Sequence, residues 1–91
     1  MGNKMRILYA EDYELDAELT KILLEEHEFT VDIAADGKKA WDAYNRQKPD
    51  ILLLDLNIPR KDGIEVTRLI RQKDPHTHII IYTSHGEPER E

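Results

Sequence analysis

The chain contains no cysteine among its 91 residues, so it forms neither disulfides nor thiolate metal sites. Its apolar runs are short, as in residues 51–54, whereas a helix that crosses a bilayer needs about 20 apolar residues. The first six residues also lack the apolar segment of a secretory signal. We therefore expect a cytoplasmic protein without membrane contact.

Basic side chains are in deficit, with 13 Lys and Arg against 19 Asp and Glu and a formal net charge of −6. This balance works against non-specific binding to phosphate backbones or anionic lipids, so we expect no direct nucleic-acid contact. Repeats and low-complexity linkers are absent as well. A chain of this length supplies one compact domain, which excludes a multi-domain enzyme.

The elements that are present alternate between strand and helix, in the order β-α-β-α-β-α-β. Segments of strand character fall at residues 5–10, 30–34, 51–54 and 78–83. Residues 51–54 are apolar without interruption, which is typical of a central parallel strand covered on both faces. Strands that alternate with helices predict an open parallel α/β sheet with right-handed crossovers.

Three helices are expected between these strands, each with one apolar face. The inward residues predicted for the first are Leu15, Leu19, Ile22 and Leu23. Those predicted for the second are Ala40, Trp41, Ala43 and Tyr44, and those for the third, at 64–71, are Ile64, Val66, Leu69 and Ile70.

Three carboxylates stand at strand ends: Glu11 and Asp12 follow the first strand, and Asp55 closes the third. In open α/β sheets, ligands bind beyond the carboxyl ends of the strands, where these acids stand. Carboxylates that lie close together repel one another unless a cation neutralises their charge. Oxygen ligands favour Mg²⁺, for which Mn²⁺ can substitute, because no histidine stands at ligand spacing with these acids. The alternative for Glu11 and Asp12 is that they only cap the first helix.

Taken together, the motifs of the chain resemble the receiver domain of two-component response regulators. They are Glu11-Asp12, Lys48-Pro49-Asp50 leading into 51–54 and Asp55, then Asn57-Ile58-Pro59, Asp62-Gly63, and Thr83-Ser84. The resemblance implies a flavodoxin-like three-layer fold and a phosphorelay function, with a histidine kinase or phosphotransfer protein as the partner. It implies a signalling domain and not an enzyme.

The same resemblance implies a role for each site residue. Asp55 is the phospho-acceptor, and Asp12 and Asp55 bind Mg²⁺ through their carboxylates. Asn57 adds its backbone carbonyl, Glu11 acts through metal-bound water, and Thr83 is the switch hydroxyl.

The chain departs from the family at its C-terminal end. A complete receiver has five strands in the order 2-1-3-4-5, and here the order 2-1-3-4 is expected, without the fifth strand and the last helices. Residues 1–91 are therefore interpreted as a receiver domain that is incomplete at the C-terminus. No catalytic Lys of the kind that follows the family's fifth strand is present, and Arg60 and Lys61 are interpreted as surface loop charges.

The fourth strand is then an exposed apolar edge, which favours a homodimer through that strand. Two alternative functions stay open. One is a pseudo-receiver or interaction module that is not phosphorylated, because the Lys segment is missing. The other is a Mg²⁺-dependent aspartyl-phosphate phosphohydrolase, which would use a second carboxylate two residues after Asp55, where Asn57 stands.

Overall fold

The computed structural model describes residues 4–55, 58 and 63–82. The predicted roles of Asn57 and Thr83 lie outside these residues, as do those of Arg60 and Lys61. Within the described residues, four strands alternate with three helices, as predicted. In chain order they are β1 (Arg6–Ala10), α1 (Glu14–Glu26), β2 (Thr30–Ala34), α2 (Gly37–Arg46), β3 (Ile51–Asp55), α3 (Gly63–Lys73) and β4 (His78–Tyr82).

All four strands are parallel and form one sheet in the order β2-β1-β3-β4, which confirms the predicted order. In this sheet Ile7 of β1 pairs with Val31 on one side and Ile51 on the other, and Asp55 pairs with Tyr82 of β4. The interior position of β3 explains its continuous apolar run, since both of its faces are covered.

The sheet has a core on each face. The face below α2 and α3 buries a cluster formed by Leu8, Ala10, Ala34, Ala40, Tyr44, Leu52, Leu54, Ile58, Val66 and Ile70. The face below α1 buries a smaller cluster of Ile7, Tyr9, Ala17 and Val31, with Tyr82 and Leu53 packed against it. Among the described residues, no helix has the length and apolar character needed to cross a membrane.

Helix α2 follows the prediction closely. The Asp36 side chain caps its first turn by accepting a hydrogen bond from the backbone N–H of Lys39 at 2.8 Å. Ala40 and Tyr44 are buried, and Trp41 packs partly buried against the core. The Trp41 and Tyr44 rings stack with centroids 5.9 Å apart, so these aromatics pack α2 onto the sheet.

The inward face predicted for α1 is wrong. Leu15, Leu19, Ile22 and Leu23 are exposed, each by 53% to 57%, and Ala17 is the buried residue of this helix. Ala17 lies on the opposite side of the helix, where its small side chain packs among Ile7, Tyr9 and Val31. Periodicity shows that a stripe is apolar, but it does not show which stripe meets the sheet.

One inward residue predicted for α3 is also wrong. Ile64 is 61% exposed, whereas Val66 and Ile70 are fully buried. Successive helical residues are rotated by about 100°, so Ile64 lies about 200° from Val66 and points away from the sheet. Leu69 is half-buried at the flank of this face.

Candidate metal centre

Three carboxylates meet at the carboxyl edge of the two central strands. Glu11 and Asp12 follow β1 directly, and Asp55 is the last residue of β3. Each offers an oxygen atom, and these atoms lie within 4.8 Å of one another. The structure thus brings together the acidic residues that the sequence predicted, because neighbouring parallel strands end at the same edge of the sheet.

Burial divides the three acids into two kinds. Asp55 is 0% exposed and Glu11 is 2% exposed, while Asp12 is open to solvent. Burying a carboxylate is costly unless hydrogen bonds or opposite charges compensate it. The centre therefore concentrates negative charge below the surface and has one solvent-facing acid at its mouth.

The protein compensates the buried Glu11 with several hydrogen bonds. Its Oε2 accepts a hydrogen bond from the backbone N–H of Tyr13 at 3.1 Å. Its Oε1 accepts one from the Tyr82 hydroxyl and lies 3.4 Å from the Tyr9 hydroxyl. The backbone N–H of Glu11 donates to the Ala34 carbonyl at 3.0 Å. These contacts hold both the backbone and the side chain of Glu11 in place.

Tyr9 and Tyr82 were missed by sequence reasoning, although they are part of this network. The Tyr82 hydroxyl lies 3.1 Å from that of Tyr9, and their ring centroids are 6.5 Å apart. Burial and the hydrogen bond to Glu11 raise the pKa of the Tyr82 phenol far above its usual range, so the hydroxyl keeps its proton and remains a donor. The sequence signal that could have indicated this role is a tyrosine, Tyr82, at the end of β4, where its hydroxyl can reach the site.

The donor set fits a hard divalent cation. All three groups are carboxylates, and no histidine among the described residues belongs to the cluster. Oxygen-only ligands suit Mg²⁺, which keeps several waters and takes one or two protein carboxylates. The Asn57 carbonyl and the Thr83 hydroxyl lie outside the described residues, so their roles remain predictions. The nearby backbone N–H of Ile58 donates to the Asp55 carbonyl at 3.4 Å.

A further buried carboxylate, Asp74, lies at the other end of the strands, in the segment that leads into the start of β4. Lys48 pairs with it at 2.8 Å, the Thr77 hydroxyl donates to it, and the His76 backbone N–H donates at 2.9 Å. The hydrogen bonds from Lys48 and Thr77 lower the pKa of Asp74 well below its usual range. This network joins the segments that precede β3 and β4, and it was not predicted from the sequence.

Comparison with known proteins agrees with the fold. The family described as response regulator receiver domain matches residues 7–91. Chemotaxis protein CheY of Halobacterium salinarum is 35% identical over 85 residues, which cover 93% of this chain and 71% of that protein.

Two solved structures are also similar. Response regulator protein TrrA of Thermotoga maritima, solved in complex with Mg²⁺ and BeF, has a TM-score of 0.85 and 32% identity, with 90% of this chain and 71% of that chain covered. The complex of histidine kinase ThkA with TrrA gives a TM-score of 0.83 and 30% identity, with coverages of 96% and 75%.

The chain therefore belongs to the response regulator receiver domain family, as its motifs predicted. Receiver domains are signalling modules of two-component systems, and the fold is the flavodoxin-like fold of these structures. The chain spans 32% and 37% of the length of two transcriptional regulatory proteins that it also matches.

Proposed function

We propose that this receiver domain accepts a phosphoryl group on Asp55 in a Mg²⁺-dependent reaction and changes conformation in response. The observation that carries the proposal is the convergence of the fully buried Asp55 with Glu11 and Asp12, whose ligand oxygens lie within 4.8 Å of one another. A buried nucleophilic carboxylate beside two further acids is suited to phosphoryl transfer, which needs little covalent chemistry beyond positioning and charge compensation.

The proposed cation ligands are the carboxylates of Asp12 and Asp55 and the backbone carbonyl of Asn57, with Glu11 acting through metal-bound water. When bound, Mg²⁺ would compensate the negative charge on the oxygens of the transferring phosphoryl group. A carboxylate oxygen of Asp55 attacks the phosphorus atom. The bond between phosphorus and a histidine nitrogen of the phosphodonor protein breaks, and its electron pair stays on that nitrogen.

Phosphorylation would alter the charge of a crowded site. The phosphoryl group brings acceptor oxygens and about 1.5 to 2 negative charges, but it replaces the charge of the attacking carboxylate. The site beside the buried Glu11 therefore gains up to about one negative charge. We propose that the Thr83 hydroxyl, directly after β4 in the sequence, bonds to these oxygens and draws the end of β4 toward the site. That movement would be the conformational switch.

The proposed phosphodonor is a histidine kinase or a phosphotransfer protein in the cytoplasm. In support, the similar TrrA chain has been solved in complex with histidine kinase ThkA. The exposed Asp12 also leaves the mouth of the centre open to an incoming group. Mn²⁺ is expected to replace Mg²⁺ because it accepts the same oxygen ligands.

Intact mass spectrometry tests this function. The chain is incubated with Mg²⁺ and a small-molecule phosphodonor, beside the Asp55→Asn variant and a chelated sample. We expect one phosphoryl adduct per chain, stable in acid and labile in base, that disappears in the variant and on chelation. Asp42→Asn is a matched control, because Asp42 is an exposed carboxylate on α2 paired with Lys38.

The other outcomes separate the alternatives. Multiple turnover of the phosphodonor would support the phosphohydrolase. Absence of an adduct at every Mg²⁺ concentration would contradict the proposal and support a pseudo-receiver that acts only through interaction.

We also propose that β4 pairs with a second copy of the chain. Within the described residues β4 is an edge of the sheet, with Ile80 53% and Ile81 45% exposed. Apolar edge strands favour pairing with another chain, and a charged side chain at the edge opposes it. Sedimentation is expected to show a dimer that Ile80→Lys converts to a monomer, and a folded wild-type monomer would contradict this.

A further inference from the structure

Tyr82 makes a contact that crosses the site. It is the last residue of β4 and pairs in register with Asp55 of β3, yet its hydroxyl donates to Glu11, which follows β1. Since β3 lies between β1 and β4, the Tyr82 side chain reaches across the strand that carries the proposed phospho-acceptor. It connects the edge strand to the acidic centre.

The contact leaves Glu11 little freedom. The Tyr82 hydroxyl occupies Oε1, and the backbone N–H of Tyr13 occupies Oε2 at 3.1 Å. The Tyr9 hydroxyl lies 3.4 Å from the same Oε1 and 3.4 Å from the Thr20 hydroxyl. Hydroxyl partners of this kind orient a carboxylate near a metal, and their removal typically costs about 10-fold to 100-fold in metal affinity.

Resting on the Mg²⁺ site of the proposed function, we propose that Tyr82 is a positioning residue for cation binding. Its hydroxyl holds the Glu11 carboxylate where it converges with Asp12 and Asp55. Because the same side chain ends β4, arrival of a cation at the acids changes the surroundings of the Tyr82 phenol. Metal binding is thus coupled to the edge strand before any phosphoryl group is transferred.

The test compares Mg²⁺ binding to the wild-type chain and to Tyr82→Phe, which removes only the hydroxyl. We expect the dissociation constant for Mg²⁺, measured by calorimetry, to rise about tenfold. Tyr9→Phe is expected to have a smaller effect, because its hydroxyl lies farther from Glu11 and Tyr82 remains in place. Unchanged far-ultraviolet circular dichroism shows that each variant is folded.

Tyrosine absorption supplies a readout that a purely structural role would not change. We expect a near-ultraviolet difference spectrum that saturates with Mg²⁺ in the wild-type chain and is lost in Tyr82→Phe. As a control, Tyr44→Phe removes a buried hydroxyl near Asp74 and should retain both the signal and the affinity.

The results distinguish this role from the function on which it rests. Saturable Mg²⁺ binding that is equal or tighter in Tyr82→Phe overturns the role of Tyr82 and leaves the phosphorylation of Asp55 to its own mass measurement. If the wild-type chain shows no saturable Mg²⁺ binding, both the cation site and the role of Tyr82 are overturned.

Discussion

At the scale of single residues, we expect the contacts of Asp74 to make the stability of the fold depend on pH. It is 5% exposed and accepts hydrogen bonds from Lys48, Thr77 and the His76 backbone. These contacts favour the ionised carboxylate, so the pKa of Asp74 in the folded protein lies below its usual range. Its contribution is therefore present above the ordinary Asp pKa of about 4 and is lost as the pH falls below it.

The corresponding prediction concerns acid stability. We expect the thermal midpoint of the wild-type chain to fall between about pH 5 and about pH 2 more steeply than that of Asp74→Asn. Near neutral pH the variant should melt lower by roughly 5 °C, since it loses a charge-assisted hydrogen bond. Scanning calorimetry across this pH range measures both effects.

Asp42→Asn is the matched control for this series. Asp42 also pairs with a lysine, Lys38, at 3.2 Å, but on the exposed surface of α2, where ion pairs contribute little. Its pH profile should follow the wild type. Parallel profiles for Asp74→Asn and the wild type would contradict the importance assigned to the Asp74 network.

The location of a single site residue could be predicted where chain position alone determines it. Asp55 ends a strand that is otherwise wholly apolar. An ionisable group in such a buried position lowers stability, so its presence there indicated a functional site. The contacts of Tyr82 with Glu11 and of Lys48 with Asp74 join residues 71 and 26 positions apart. No local pattern indicates such pairs, because they depend on how strands and loops assemble.

The helices show what periodicity can and cannot predict. In the part of the chain that the structure describes, their number and order were predicted correctly, because apolar spacing and strand-helix alternation are local signals. The face of α1 that meets the sheet was predicted wrongly, because that contact depends on the close approach of Ala17 to the strands. Leu15 and Leu19 form an apolar stripe that is exposed within the described structure.

Helix α3 allows a matched comparison of two isoleucines. Ile70 is fully buried between α3 and the sheet, while Ile64 is 61% exposed. We expect Ile70→Ala to lower the free energy of unfolding by about 2 to 4 kcal/mol, through lost burial and the cavity left behind. Ile64→Ala should change it by about 0.5 kcal/mol or less.

Urea unfolding followed by circular dichroism gives both values, and each variant serves as the control for the other. Equal losses in the two variants would contradict the orientation of α3 on the sheet.

For the molecule as a whole, the sheet order and the acidic edge could be predicted together. Four short strands separated by helices require parallel pairing, and the order β2-β1-β3-β4 places Glu11, Asp12 and Asp55 at one edge. The hydroxyl network around Glu11 could not be predicted, because it forms only when β4 lies at the right distance from β1 in the assembled sheet.

The central claim is that Asp55 receives the phosphoryl group, and identification of the modified residue tests it most directly. After reaction with a phosphodonor and Mg²⁺, borohydride reduces an aspartyl phosphate to the corresponding alcohol, which peptide mass spectrometry locates. We expect the reduced residue at position 55 only, and none when Mg²⁺ is chelated. Reduction at Asp12 or another acid, or no reduction in the presence of Mg²⁺, would contradict the claim.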